Sequence, residues 1–241
     1  MAKSHHTTGA AGFPAARGCA PGRVPGLLLN MSWKLAAIAG VLCVTTCFAG
    51  PFEVGGMAGY GAYRHAEVDA PAGVATAGIG NRFVVGAVLG EDLYPHLSGE
   101  LRYLYQDGDP FVSGAGARAN IQGQSHAVHY DFLIEARRRE YRLRPYFIAG
   151  AGIKYYRSTG PAPLVQPLPA IVRLVNRNEI SPLVTGGLGV RYRLADRVYV
   201  RADFVDYITT FPKNLFIPAP FGTDHGIFHQ FTPTVGITFR P

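Results

Sequence analysis

Hydrophobic and polar residues alternate with a period of two along most of the chain. In the segment that begins at Leu97, Leu101 and Tyr103 share one face, whereas Glu100 and Arg102 lie on the other. Successive side chains of a β-strand point to opposite faces, so this pattern predicts strands with one apolar face and one polar or small-residue face.

Eight such segments are predicted, and the second is the least clear because it is apolar on both faces. The 30 glycines and 18 prolines oppose helical structure, since both residue types disfavour helix interiors. We therefore predict an all-β fold whose strands lie near residues 52–64, 81–90, 97–106, 124–136, 144–157, 181–193, 198–208 and 229–239.

The connections between these segments alternate in length. The first, third, fifth and seventh are long, whereas the second, fourth and sixth are short. In an up-and-down meander this places every long connection at one end, and an even number of strands brings both termini to the other. Transmembrane β-barrels have this asymmetry. The prediction is an eight-stranded antiparallel up-and-down transmembrane β-barrel.

Periodicity alone does not say which face is inside. A soluble barrel of the lipocalin type would turn its apolar face inward, around a ligand pocket. Two features favour the opposite arrangement. Six tyrosines near strand ends suit the aromatic girdles of a membrane protein: Tyr63, Tyr103, Tyr105, Tyr155, Tyr156 and Tyr192. The polar face carries four acidic and four basic residues, a balance that suits a closed interior where each charge needs a partner. The predicted interior polar network is Glu100, Arg102, Asp131, Glu135, Lys154, Arg191, Arg201 and Asp203.

The N-terminal region has the features of an export signal. Residues 31–49 combine the basic Lys34, a short apolar run and small residues at Cys47 and Ala49, which predicts a signal peptide cleaved after Ala49. Residues 1–30 show no pattern and are expected to be unstructured or an over-extended start, which leaves residues 50–241 as the barrel domain.

Cleavage at this site would change the composition. All three cysteines leave with residues 1–49, so no disulfide or thiolate site is expected in the exported protein. Residues 50–241 hold 19 Lys and Arg against 16 Asp and Glu, a net charge of +3 instead of +7. Nucleic-acid binding therefore loses most of its support and is not expected.

The export signal, the eight amphipathic segments, the loop asymmetry and the final strand ending at Phe239 resemble the small OmpA/OmpX-type outer-membrane β-barrel family. The resemblance covers nearly all of residues 50–241. It implies location in the outer membrane, contact with outer-membrane lipid and lipopolysaccharide, and folding by the barrel-assembly machinery. One departure is that Arg240 and Pro241 follow the terminal aromatic residue.

Some small outer-membrane barrels are enzymes that modify lipid A. Such enzymes need an activated serine or another nucleophile beside a histidine. His225 and His229 have no adjoining serine, and the connection bracketed by Ser158 and Ser181 contains no histidine. We therefore predict no catalytic site and no enzyme activity.

Metal and cofactor sites are not expected either. Asp107 and Asp109 supply too few oxygen ligands for calcium, and His126 and His129 should point to opposite faces of one strand. The basic run 137–144 falls in a predicted short turn, where it is either solvated or in contact with anionic lipid headgroups.

The expected function is that of a non-enzymatic integral outer-membrane protein, structural or adhesive through its four long loops, with an unknown extracellular ligand. The alternative is a narrow channel or carrier for small solutes. A lipid A-modifying enzyme and a secreted soluble barrel are the remaining alternatives. Single-channel conductance separates the first two.

Overall fold

The computed structural model describes residues 52–241, apart from residues 167, 221, 222 and 225 and the side chain of residue 224. The predicted leader and signal peptide lie outside the described residues and stay predictions. Within the described part of the chain, no helix is long and apolar enough to cross a membrane.

Eight long strands form a closed antiparallel barrel in the order β1-β15-β12-β11-β9-β8-β5-β4. The prediction of an all-β eight-stranded antiparallel barrel is confirmed. The barrel strands are β1 (Phe52–Tyr63), β4 (Arg82–Tyr94), β5 (Leu97–Asp107), β8 (Gly123–Glu135), β9 (Leu143–Ser158), β11 (Asn178–Ala195), β12 (Val198–Thr210) and β15 (Ile227–Phe239). The largest difference from the predicted bounds is at β4, which runs to Tyr94 because its ladder with β5 continues past the alternating segment.

The register of the pairs gives the barrel its dimensions. Following paired residues once around the barrel from Phe52 returns to β1 at Ala62, a shear of ten residues. Eight strands with this shear tilt by about 40° and enclose a backbone radius of about 8 Å. A lumen of this width is filled by side chains.

The two ends of the barrel differ. Short turns at residues 95–96, 136–142 and 196–197 lie at one end together with Phe52 and Phe239, and we call it the short-turn end. The four long connections emerge at the other, the long-connection end.

The long connections contain seven short strands that the sequence pattern did not reveal. They are β2 (Ala66–Ala70), β3 (Gly73–Ile79), β6 (Pro110–Gly114), β7 (Ala117–Asn120), β10 (Val172–Leu174), β13 (Phe216–Pro218) and β14 (Thr223–Asp224). Five of them form one sheet in the order β14-β2-β3-β6-β7, and β10 pairs with β13. These strands span two to seven residues, too few for a period of two to stand out.

These two sheets and the chain between them form a cap with its own apolar core. Val68, Ala77, Val112 and Phe216 are buried in it, and Ile171 packs beside them. The same core includes inward-facing aromatic side chains from the ends of barrel strands, namely Tyr63, Tyr156 and Phe228. Apolar packing is therefore continuous from the cap into the long-connection end of the lumen.

Candidate functional site

The barrel is apolar outside and polar inside. On β15, Val235, Ile237 and Phe239 are exposed on the outer face, whereas Thr234 and Thr238 are buried in the lumen. The other barrel strands repeat this pattern, with exposed Leu, Val, Ile, Phe and Tyr side chains all around the outer wall. A soluble barrel buries its apolar face inside, so this polarity is that of a transmembrane barrel, whose apolar band meets lipid.

All eight residues predicted for the interior network are buried. Seven of them form one connected cluster of ion pairs near the short-turn end, and Lys154 lies apart from it. Two further members, Glu53 and Arg144, are not among the predicted residues. Glu53 lies at the start of β1, and Arg144 was counted with the basic turn, although alternation with the inward Tyr146 could have placed it inside.

Glu100 is the centre of the cluster. Its carboxylate receives three guanidinium groups: Arg191 Nη2 at 2.6 Å, Arg201 Nη1 at 2.7 Å and Arg102 Nη2 at 2.7 Å. These residues come from β5, β11 and β12, so the contacts cross the lumen as well as joining neighbouring strands. The side chain of Glu100 is 1% exposed, so this network is shielded from water.

The other carboxylates extend the cluster around Glu100. Arg102 also reaches Asp131 at 3.1 Å and Asp203 at 3.3 Å. Asp203 accepts a hydrogen bond from Tyr146 and pairs with Arg201 at 2.8 Å. Thr185 and His129 both contact Asp131 Oδ1, Thr185 donating at 2.6 Å and His129 Nδ1 lying at 2.9 Å.

The ends of the network approach the short turns. Arg191 lies 3.3 Å from Glu53 and 3.6 Å from Glu135, and Glu135 pairs with Arg144 at 2.8 Å. In sum, four arginines and five carboxylates fill the lower half of the lumen, which is the half nearer the short-turn end. Guanidinium and carboxylate groups match in planar geometry, which favours multiple contacts of this kind.

On β5 and β12, the charged inward side chains lie nearer the short-turn end and apolar ones follow toward the cap. On β5 the inward residues are Glu100, Arg102, Leu104 and Gln106, so two charged positions precede an apolar and a polar one. On β12, Asp203 is followed by Val205. Leu104 and Val205 belong to one buried apolar cluster, so apolar side chains fill the lumen above the ion pairs.

Lys154 belongs to the polar layer beneath the cap. Its Nζ donates to Tyr63 Oη at 2.8 Å and to the Gln230 side-chain oxygen. Gln230 in turn donates to Gln106 at 2.7 Å. Lys154 does not join the carboxylate cluster, because along β9 it lies ten residues from Arg144, toward the opposite end of the lumen.

Glycines make room for these side chains. A Cβ at Gly150 would lie 2.1 Å from Asp131 Oδ1, and one at Gly189 would lie 2.3 Å from Asp203 Oδ1. A Cβ at Gly152 would meet His129 at 2.5 Å. The inward glycines thus have a packing role, because the charged side chains cross the lumen directly over them.

The aromatic girdle is only partly as predicted. Tyr103 and Tyr192 are exposed on the outer face. Tyr63 and Tyr156, in contrast, are buried in the lumen and join the cap core. Alternation explains the difference, because Tyr156 directly follows Tyr155 and the two cannot share a face.

The residues considered for catalysis do not meet. Ser158 and Ser181 are buried inside the barrel. His229 is on the outer face, where its Nδ1 lies 2.7 Å from Asp206 Oδ2. The barrel wall separates this pair from both serines, and His225 lies outside the described residues.

The metal candidates are also separated. His126 contacts the Tyr103 hydroxyl on the outer face, 2.8 Å away, whereas His129 faces the lumen. Asp109 is occupied by Arg82 at 3.2 Å. Over the described ranges, no group of three or more His, Cys, Asp or Glu side chains could hold a metal ion.

No protein-family model matches the sequence, and no curated protein matches it significantly. Among solved structures, Neisserial surface protein A is similar with 12% identity and a TM-score of 0.47, over 80% of this chain and 98% of that one. OprG from Pseudomonas aeruginosa shows 14% identity and a TM-score of 0.48, over 80% and 97%. Ail, the attachment invasion locus protein of Yersinia pestis, shows 10% identity and a TM-score of 0.36, over 78% and 99%.

The class of protein is defined by this chain's own strand pairing and polarity. It is a closed eight-stranded antiparallel barrel with an apolar outer wall and a charged, filled lumen. At the level of fold, this confirms the resemblance to the small OmpA/OmpX-type outer-membrane barrels.

Proposed function

We propose that this protein is an integral outer-membrane β-barrel that does not conduct solutes, has no catalytic activity, and acts structurally or adhesively through its cap. The short-turn end then faces the periplasm and the cap faces the exterior, as in other barrels with long extracellular loops. The observation that carries the proposal is the combination of an apolar outer wall with a lumen closed by buried ion pairs.

The closed lumen supports the non-conducting role. The ion-pair cluster occupies the lower half, an apolar layer follows it, and the cap core covers the far end. A pore would require several of these layers to move together. Breaking one buried ion pair costs about 3–5 kcal/mol, so spontaneous opening of a water-filled path is rare.

The cap supports an adhesive role because it presents exposed apolar side chains. Leu164 and Val165, adjacent in the connection between β9 and β10, are 104% and 82% exposed. Val74, the second residue of β3, is 56% exposed. Exposed apolar groups of this kind are common at contact surfaces.

Two measurements test the proposal in sequence. The protein is first produced with its own signal, outer membranes are isolated, and gel mobility in detergent is compared before and after boiling. We expect recovery in the outer membrane and a mobility shift on boiling. Recovery in the soluble fraction without a shift would overturn the transmembrane assignment.

The second measurement is single-channel conductance of the purified protein in planar bilayers. We expect no discrete steps from the wild type. Steps that depend on protein insertion would favour the narrow channel instead. Adhesion is tested on whole cells by comparing wild type with a Leu164→Ser/Val165→Ser variant, which removes the exposed apolar pair without touching the cap core. Equal adhesion of cells that carry the wild type and cells that carry the variant would exclude Leu164 and Val165 as the contact site.

A further inference from the structure

The net charge of residues 50–241 is concentrated at the short-turn end. The lumen holds five basic and five acidic side chains, and the cap with the upper outer wall holds seven of each. The short-turn rim holds seven arginines, namely Arg137, Arg138, Arg139, Arg142, Arg193, Arg197 and Arg240, against only Asp92, Glu140 and Asp196. The one remaining acid, Glu91, is on the outer wall near this rim and accepts a hydrogen bond from Tyr130. The rim therefore carries a surplus of four positive charges.

Part of this rim is held by internal contacts. Asp92 pairs with Arg139 at 3.1 Å and with Arg240 at 3.0 Å. Arg193 donates to the Glu140 backbone oxygen at 3.1 Å. These three arginines are half-buried and serve to close the barrel end.

The other four arginines are available to a partner. Arg137, Arg138, Arg142 and Arg197 are exposed, and none of the described carboxylates forms an ion pair with them. Three of the four lie in the single turn between β8 and β9, so their guanidinium groups extend from one short segment. Guanidinium groups bind phosphate oxygens through paired hydrogen bonds.

Exposed apolar side chains are interleaved with these arginines. Tyr94, Tyr141 and Leu194 are 69%, 56% and 65% exposed at the same end of the barrel. The Arg137 guanidinium lies 5.7 Å from the Tyr141 ring centre, and Arg139 donates to the Tyr94 backbone oxygen. Tyrosines and arginines with exposed leucine are typical of a membrane–water interface.

We propose that this rim binds the phosphate groups of acidic phospholipids in the periplasmic leaflet. The inference rests on the proposed membrane location and adds a lipid preference to it. A lipid headgroup fits better than an acidic soluble polymer, because the arginines adjoin apolar side chains that continue the outer apolar band. A phosphodiester at this depth meets the guanidinium groups while its acyl chains cover the neighbouring Leu and Tyr side chains.

The test is electron paramagnetic resonance of spin-labelled lipids around the full protein in phosphatidylcholine bilayers. Spin-labelled phosphatidylglycerol is compared with spin-labelled phosphatidylcholine, and the motionally restricted fraction gives the relative association constant. Each surface arginine attracts anionic lipid appreciably, so we expect a preference of at least about threefold for phosphatidylglycerol at low salt. Screening by 1 M NaCl should reduce it toward one.

Matched variants test whether the rim is the source of the preference for anionic lipid. Arg137→Gln/Arg138→Gln/Arg142→Gln should abolish most of the preference. The control, Arg157→Gln/Arg173→Gln/Arg177→Gln, removes the same charge from exposed positions at the other end and should retain it.

The outcomes separate the two proposals. If neither labelled lipid shows a restricted fraction, the protein is not in the bilayer, and both the proposed function and this inference fail. If both lipids are restricted equally, the barrel is inserted but the rim has no lipid preference, and only this inference is overturned. Equal loss in the two triple variants would also overturn it.

Discussion

Replacing Glu100 tests whether the buried ion pairs hold the barrel together. Glu100→Gln keeps the shape of the side chain but removes the charge that faces Arg102, Arg191 and Arg201 at 2.6–2.7 Å. The three guanidinium groups would then keep only the carboxylates at the edges of the cluster. For Arg201, that leaves Asp203 at 2.8 Å.

The expected magnitude follows from burial. Glu100 is 1% exposed, so solvent screens these pairs little. Removing one partner of a buried pair costs about 3–5 kcal/mol, mostly because charge is left uncompensated. We expect the free energy of unfolding to fall by about this amount. Since three pairs are broken together, the upper part of the range applies.

The assay is reversible unfolding in urea in the presence of lipid vesicles, followed by circular dichroism and by the boiling-dependent gel shift. Glu140→Gln is the control, because Glu140 is an exposed acid in the turn between β8 and β9. Exposed substitutions of this kind usually change stability by less than about 0.5 kcal/mol. If Glu100→Gln and Glu140→Gln unfold at the same urea concentration, the ion-pair cluster does not stabilise the barrel and our account of the lumen is wrong.

Three further predictions concern the wall and the cap. Gly187→Ala places a Cβ 2.3 Å from a backbone oxygen and should destabilise the barrel by about 1–3 kcal/mol, whereas Gly186→Ala, with nothing within 4 Å of its Cβ, should be tolerated. The urea midpoints of the two variants test this, and equal effects would refute the packing role of the inward glycine. Phe216→Ala should destabilise the cap by about 3–5 kcal/mol and make the long connections sensitive to protease, while the gel shift on boiling persists. Ile217→Ala, at an exposed position, is the control and should leave them resistant. Protease resistance in both variants would contradict the buried cap core. Burial, with a smaller contribution from a nearby positive charge, lowers the pKa of His65. The unfolded chain therefore binds this proton more tightly, and the cap should lose stability as pH falls through the ordinary histidine range. The protection factors of cap amides, which correct for the pH dependence of intrinsic exchange, should fall over that range, and His65→Phe should remove the effect.

The barrel strands could be predicted from the sequence because their alternation extends over ten or more residues. Glu100, Arg102, Asp203 and Arg201 were assigned to the interior for the same reason, since alternation fixes the face of each residue once the strand is found. What alternation does not give is depth along the lumen. That depth depends on register, which places Lys154 in the polar layer under the cap.

The cap could not be predicted in the same way. Its strands are short and pair across different connections, as β3 does with β6. Such pairing depends on where the barrel brings the connections together, and no local pattern records it. Large aromatic residues in or beside a long connection, such as Phe216 and Phe228, are a signal that the sequence does contain, because such side chains are costly to expose.

The most direct test of a barrel with an apolar outer wall and a polar lumen is the quenching of fluorophores along β15 by brominated lipid. Single cysteines replace the outward Val235 and Ile237 and the inward Thr234 and Thr238, one in each variant. The native cysteines Cys19, Cys43 and Cys47 are replaced by serine. Each introduced cysteine is labelled with a fluorophore, and its fluorescence is measured in bilayers of brominated lipid. The account predicts strong quenching at residues 235 and 237 and weak quenching at 234 and 238. Uniform quenching, or the opposite alternation, would contradict a barrel whose apolar face meets lipid.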